Sequence, residues 1–220
     1  MKTFNKQTKA FTMIELVFVI VVLGILAALA IPRLERDIRQ EAADNILSAI
    51  RYTQHLALND NKTNPFDLNW QKELWTIRFS LDGDGRYFYT VSSNTNHGTN
   101  VSIDESAIDP TNGKYMYTSD SIIDDDESPN IFLGKKYGID SSDFTNCQTI
   151  ANGTNTSTHI AFDHLGRPHK GVFNTATNDY RTVMTTDCII SFGFEDGSDN
   201  LDIRIAKETG YAFIVGQEDS

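Results

Sequence analysis

One acid at the mouth of the chain's long apolar run limits what its N-terminal part can become. Residues 16–31 are sixteen consecutive residues without a charge, and Glu15 stands directly before them. An ionisable side chain within a membrane span costs about 2.5–3.5 kcal/mol on insertion scales, so its presence asks for a use. A helix over residues 11–31 would be about 31 Å long at roughly 1.5 Å per residue, enough for a hydrocarbon core of about 30 Å. A plain membrane anchor therefore fits. So does a secretory signal, with Lys2, Lys6 and Lys9 as its basic region and Ala28-Leu29-Ala30 as an A-x-A site. Neither reading gives Glu15 a task.

A third reading does. Phe11-Thr12-Met13-Ile14-Glu15-Leu16 resembles the F-T-x-I-E-L start of type IV pilins and type II secretion pseudopilins, and Pro32 stands twenty-second from Phe11, as in that family. The resemblance implies that residues 1–10 are a leader and that prepilin peptidase cuts between Ala10 and Phe11. Gly is usual before the cut, and Ala10 is the small residue found here. N-methylation of Phe11 is implied as well, and it would keep the charge of the new amine. That amine is protonated at neutral pH, and a carboxylate in apolar surroundings needs a paired cation. The resemblance implies pairing between neighbours: Glu15 of an incoming subunit meets the Phe11 amine of one already assembled. A one-residue slip would leave both charges unpaired in lipid, so the pair would select one axial step.

After the apolar run the pattern turns amphipathic. Leu34, Ile38, Ala42, Ile46, Ala49, Ile50, Thr53 and Leu56 recur at three- and four-residue spacings, with charged residues on the other faces. The two halves predict one helix to about residue 58, weakened at Gly24 and kinked at Pro32. Asn59-Asp60-Asn61 should end it.

The period then changes to two. Residues 74–81 and 86–91 read as a hairpin around Asp82-Gly83-Asp84-Gly85. Further strands are expected near residues 101–103, 114–118, 159–162, 171–173, 188–194, 201–206 and 211–215. Residues 141–157 read as a polar loop. A long helix followed by antiparallel strands is an α+β pattern, a helix packed on a sheet domain. The boundaries are a leader at 1–10, an apolar helix at 11–31, an amphipathic helix at 32–60 and a β-rich domain at 61–220.

The C-terminal half narrows the resemblance. Phe162-Asp163-His164-Leu165-Gly166-Arg167-Pro168 resembles the F-x-x-x-G-R-P turn of GspH/FimT-like pseudopilins. Leu201, Ile203 and Ile205 followed by Thr209-Gly210-Tyr211 resemble their last hairpin. Residues 92–157 match no part of that pattern.

Charge bears on partners. The chain carries a net −11, and removing the three leader lysines makes it −14. Phosphate contacts come from Lys and Arg, so nucleic acid is disfavoured as a partner, with Arg167, His169 and Lys170 the one local basic patch to weigh. The lysine-bearing leader places the N-terminus in the cytoplasm and the domain across the inner membrane, in the periplasm. There Cys147 and Cys188 can form a disulfide or remain two buried thiols.

Candidate chemistry is sparse. His159, His164 and His169 are spaced by five and could converge on zinc across a hairpin, but three polar residues at strand ends is the preferred reading. Asp82-x-Asp84-Gly85 imitates the start of an EF-hand loop, yet Ser93 stands where its closing Glu belongs. Asp124, Asp125 and Asp126, with Asp120 and Glu127, are the calcium candidates, set against a solvated acidic loop. No nucleophile elbow, P-loop or dinucleotide motif is present, so no catalytic residues and no other cofactor are expected. The resemblance implies a minor pilin or pseudopilin, built with other pilin subunits into a secretion pseudopilus or a pilus. The alternatives are a filament-tip subunit for adhesion or DNA uptake, or a membrane-anchored periplasmic protein of another kind.

Overall fold

The computed structural model describes residues 12–217, apart from 99, 121, 148–149, 152–153, 156–157 and 175; along 27–37 and at 145, 150–151, 154–155 and 174 it describes backbone only. The architecture is α+β: a long N-terminal helix, then antiparallel sheets. Helix α1 spans Met13–Asn59 and is helical through both Gly24 and Pro32. The chain divides into two compact units, residues 1–40 and 41–220.

In the second unit the helix buries Ala42, Ala43, Ile46, Leu47, Ala49, Ile50, Thr53 and Ala57, while Asp44 and Ser48 face water. This is the apolar stripe expected of a helix laid on a core. Thr53 turns its hydroxyl back to the Ala49 carbonyl, so its burial leaves no unpaired donor.

Among the described residues, ten strands and one short helix follow: β1 (Trp75–Leu81), β2 (Tyr87–Ser92), α2 (Leu133–Tyr137), β3 (Ile139–Thr145), β4 (Ile150–Ala151), β5 (Thr154–Asn155), β6 (His159–Phe162), β7 (Pro168–His169), β8 (Cys188–Phe194), β9 (Leu201–Ile205) and β10 (Ala212–Ile214). They form two four-stranded antiparallel sheets, ordered β2-β1-β6-β7 and β10-β9-β8-β3, with β4 and β5 as a separate pair. Strand β1 pairs both β2 and β6, with Ile77 opposite Val91 and Ile160. Inward residues alternate as pleating demands: Ile77 and Phe79 on β1, and Leu201, Ile203 and Ile205 on β9. Phe79 joins the two sheets, with its ring centroid 5.7 Å from Phe144 and 5.2 Å from Phe192. Each such fully buried side chain stabilises by about 1.5–3 kcal/mol.

Three strand expectations and one loop expectation need correction. Residues 103–105 form a 3-10 turn closed by a Ser102–Glu105 capping box. Tyr115 makes only isolated bridges, to Ile108 and Glu127. Residues 172–174 are a 3-10 turn, not a strand. The reverse error falls at β3, expected as loop. It pairs β8 from Ile139 to Thr145 because Ile139 and Phe144 reach the core while Asp140, Ser141 and Asp143 face solvent.

Segment 92–131 is tied by polar side chains instead of by a ladder. The Asp109 carboxylate accepts from Thr111 (backbone and hydroxyl), Asn112, Ser128 and Asn130 at 2.6–3.1 Å. Burial by itself would raise the Asp109 carboxyl, but these donors outweigh it and hold the group below its ordinary value.

Candidate assembly site

The site begins where the helix begins. Thr12 caps α1: its hydroxyl oxygen accepts the Glu15 backbone N–H at 3.3 Å, and Glu15 Oε2 accepts the Thr12 backbone N–H at 3.2 Å. These reciprocal bonds are a capping box, and the negative charge lies at the positive end of the helix dipole. The sequence spells this as Thr12-x-x-Glu15, a signal that reading Glu15 only as a pairing charge passes over. The cap runs through Oε2, and among the described residues Oε1 takes no part in it.

From Thr12 to Leu26 every side chain is exposed, including Met13 at 86%, Ile14 at 79% and Phe18 at 70%. A helix apolar all round and uncovered needs lipid or other helices around it. Among the described residues, no helix is long and apolar enough to cross a membrane. Ala10 and Phe11, the expected cleavage and methylation residues, lie outside the described residues. So do the side chains of Ala28, Ala30 and Pro32.

The two C-terminal motifs meet. Gly166 stands in the β6–β7 turn at φ +78° and Gly210 in the β9–β10 turn at φ +67°. Gln54 of α1 donates to both turns, to the Gly166 carbonyl at 2.9 Å and to the Thr209 carbonyl at 2.7 Å. A Cβ on Gly210 would collide with the Gly166 carbonyl oxygen, so only glycine allows this approach. The motifs thus serve to clamp the helix end to one hairpin from each sheet.

Asp163 organises the first of these turns. Its Oδ1 accepts the Leu165 and Arg167 N–H groups at 3.0 and 2.9 Å, and its Oδ2 binds the Arg167 guanidinium at 2.7 Å and His169 Nε2 at 3.2 Å. Burial alone would raise this carboxyl. The bonds from His169 and Arg167 outweigh burial and hold it well below the carboxylate range. Two members of the suspected basic patch are thus engaged within the fold. His169 is fully buried, Arg167 is neutralised by Asp163 and lies over the Tyr180 ring at 5.4 Å.

The three histidines do not converge. His159 is buried against the Phe173 ring at 4.6 Å, His164 meets the Thr63 hydroxyl at 3.1 Å, and His169 is held by Asp163 and Thr182. Burial, reinforced by the nearby Arg78 charge, pushes His159 down to about 3. Asp82 closes the hairpin turn by accepting the Asp84 and Arg86 N–H groups at 3.0 and 2.8 Å, as a turn requires. Asp124, Asp125 and Asp126 are exposed, and among the described residues they join no group of three ligand atoms within metal reach.

Cys147 and Cys188 form a disulfide with Cα atoms 4.7 Å apart, linking the end of β3 to the start of β8. Closing a loop of 41 residues adds roughly 2–4 kcal/mol, on the chain-entropy account.

No curated protein and no solved structure matches the chain. The family model for the prokaryotic N-terminal methylation motif matches residues 5–31, the stretch that holds Ala10, Phe11, Glu15 and Gly24. The chain thus carries a type IV pilin-type prepilin signal, which implies a membrane-anchored N-terminus, processing by prepilin peptidase and assembly with other pilins.

Proposed function

We propose that this chain is a minor pilin or pseudopilin of the GspH/FimT-like kind, a structural subunit without catalytic activity. It enters a type II secretion pseudopilus or a type IV pilus through residues 11–58 and displays the sheet domain outward, on the periplasmic side of the inner membrane. The observation that carries this reading is the methylation motif at residues 5–31, which heads a helix whose apolar side chains from Met13 to Leu26 are uncovered. Glu15 pairs with the Phe11 amine of a neighbour, using the carboxylate oxygen that the cap leaves uncommitted. The meeting of the Gly166-Arg167-Pro168 and Thr209-Gly210-Tyr211 turns on Gln54 supports the narrower kinship.

Mass spectrometry of the protein from its native membrane tests the processing step. The mature chain should begin at Phe11 with a methylated amine, and deletion of prepilin peptidase should restore residues 1–10. A start at Ile31 would make residues 1–30 an ordinary signal peptide and end the filament reading.

A further inference from the structure

Two residues that precede β1 meet one that follows β2. Asp67 lies in the turn before Trp70, Glu73 ends the 3-10 helix Trp70–Glu73, and His97 tops the loop after β2. His97 Nε2 is 2.7 Å from Glu73 Oε1 and 3.9 Å from Asp67 Oδ2, and one ligand atom of each residue lies within 4.8 Å of the other two. A metal at about 2.0–2.2 Å from three such atoms spaces them roughly 3–3.5 Å apart, inside the range found here. Among the described residues this is the one group of its kind.

The charges favour a dication. Asp67 and Glu73 bring two carboxylates to one imidazole, and among the described residues no Lys or Arg is ion-paired with either. All three residues are half-buried, which lets solvent or a further ligand complete a coordination shell.

The supports are fixed independently of the cluster. Asp67 Oδ1 accepts the Asn69 N–H at 2.8 Å, leaving Oδ2 toward His97. The Glu73 carbonyl holds the Ser93 hydroxyl at 2.6 Å. The His97 loop is tied by Asn94 to the Gly98 carbonyl at 2.9 Å, and by Glu105 to the Asn96 N–H at 2.9 Å. His97 itself is held at φ +57°, a conformation costly for a residue with a Cβ. The same loop carries a buried acceptor, Asn94 Oδ1, with no hydrogen-bond partner among the described residues.

We propose that Asp67, Glu73 and His97 bind one divalent first-row transition metal of the zinc class. The imidazole nitrogen selects against calcium and magnesium, which take oxygen. Nε2 of the neutral imidazole gives its lone pair to the metal in place of the contact with Glu73, and the ring hydrogen is carried on Nδ1. The three ligands with open positions would let the ion tie the loop to the helix that precedes β1, or accept a fourth ligand from a neighbouring molecule.

The test is titration of the full chain, purified in detergent and stripped with chelator, with zinc chloride. Calorimetry should show one saturable equivalent at neutral pH. His97→Ala and Glu73→Gln should each weaken it by roughly tenfold or more, while His164→Ala leaves it unchanged. Millimolar calcium chloride should not displace the ion. Circular dichroism of each variant at neutral pH separates lost ligands from lost folding. Absence of a saturable equivalent in the unsubstituted protein overturns the proposal, and so does binding that survives both ligand substitutions or yields to calcium.

Discussion

Replacing Glu15 by Gln and by Ala separates the two tasks this carboxylate can perform. In the folded chain it closes the Thr12 capping box through Oε2. Such a cap is worth about 0.5–2 kcal/mol, or about 2- to 30-fold in an equilibrium, and Gln serves at that position as well as Glu. Charge pairing is different. With either substitution a neighbour's Phe11 amine stays unpaired in lipid, at a cost of roughly 2.5–3.5 kcal/mol, about 60- to 400-fold. Pairing therefore predicts that Gln and Ala fall together, whereas capping predicts that only Ala falls. The assay is quantitative blotting of filaments recovered by pull-down, normalised to the processed subunit remaining in the membrane. Both variants should be cleaved and inserted, and both should be depleted from filaments by more than tenfold. Normal incorporation of Glu15→Gln beside depleted Glu15→Ala would refute the pairing argument and leave the cap as the role. Normal incorporation of both would remove Glu15 from assembly altogether.

Two further predictions concern the domain. His159 sits at about 3 when folded, against roughly 6.5 when unfolded, so between those pH values only the unfolded chain takes up the proton. That contribution is whole above pH 6.5 and falls by up to about 1.4 kcal/mol per pH unit as acid is added. Asp163, depressed when folded, adds a second loss below about pH 4. Urea midpoints should drop from pH 7 to pH 5 in the wild type and drop less in His159→Phe; equal drops would mean the ring is not buried neutral. Gly210→Ala should cost about 1–3 kcal/mol and exceed Gly197→Ala, because both have positive φ but only Gly210 has a carbonyl oxygen in the way. Equal midpoints would show that the two turns do not touch.

Legibility followed the kind of force involved. The helix and the hairpins 75–92 and 201–214 were readable because burial imposes a period on the residues. Strand β3 was not, since Asp140, Ser141, Ser142 and Asp143 dilute the two core contacts, Ile139 and Phe144, into what reads as loop. Segment 92–131 offered no period because Asp109 and Glu105 fold it through side-chain bonds to neighbours that any Asn, Ser or Thr could supply. The capping box stood in the sequence as Thr12-x-x-Glu15, yet the apolar run beside it drew the eye. Asp67, Glu73 and His97 had no legible spacing, being joined only when the loop after β2 returns to the helix before β1.

The pairing of β3 with β8 also sets an order of events. As the chain emerges N-terminus first, the β1–β2 hairpin has both partners at hand, but β3 must wait until residues 188–194 arrive. Until then the ladder that β8 will fill is open and Cys147 has no sulfur to pair with. A chain cut short before Cys188 therefore keeps two marks of incompleteness, an unfilled ladder and an unspent sulfur, that β8 removes when it pairs with β3. The same bond that fastens the edge strand thus also certifies that the C-terminal half has been made.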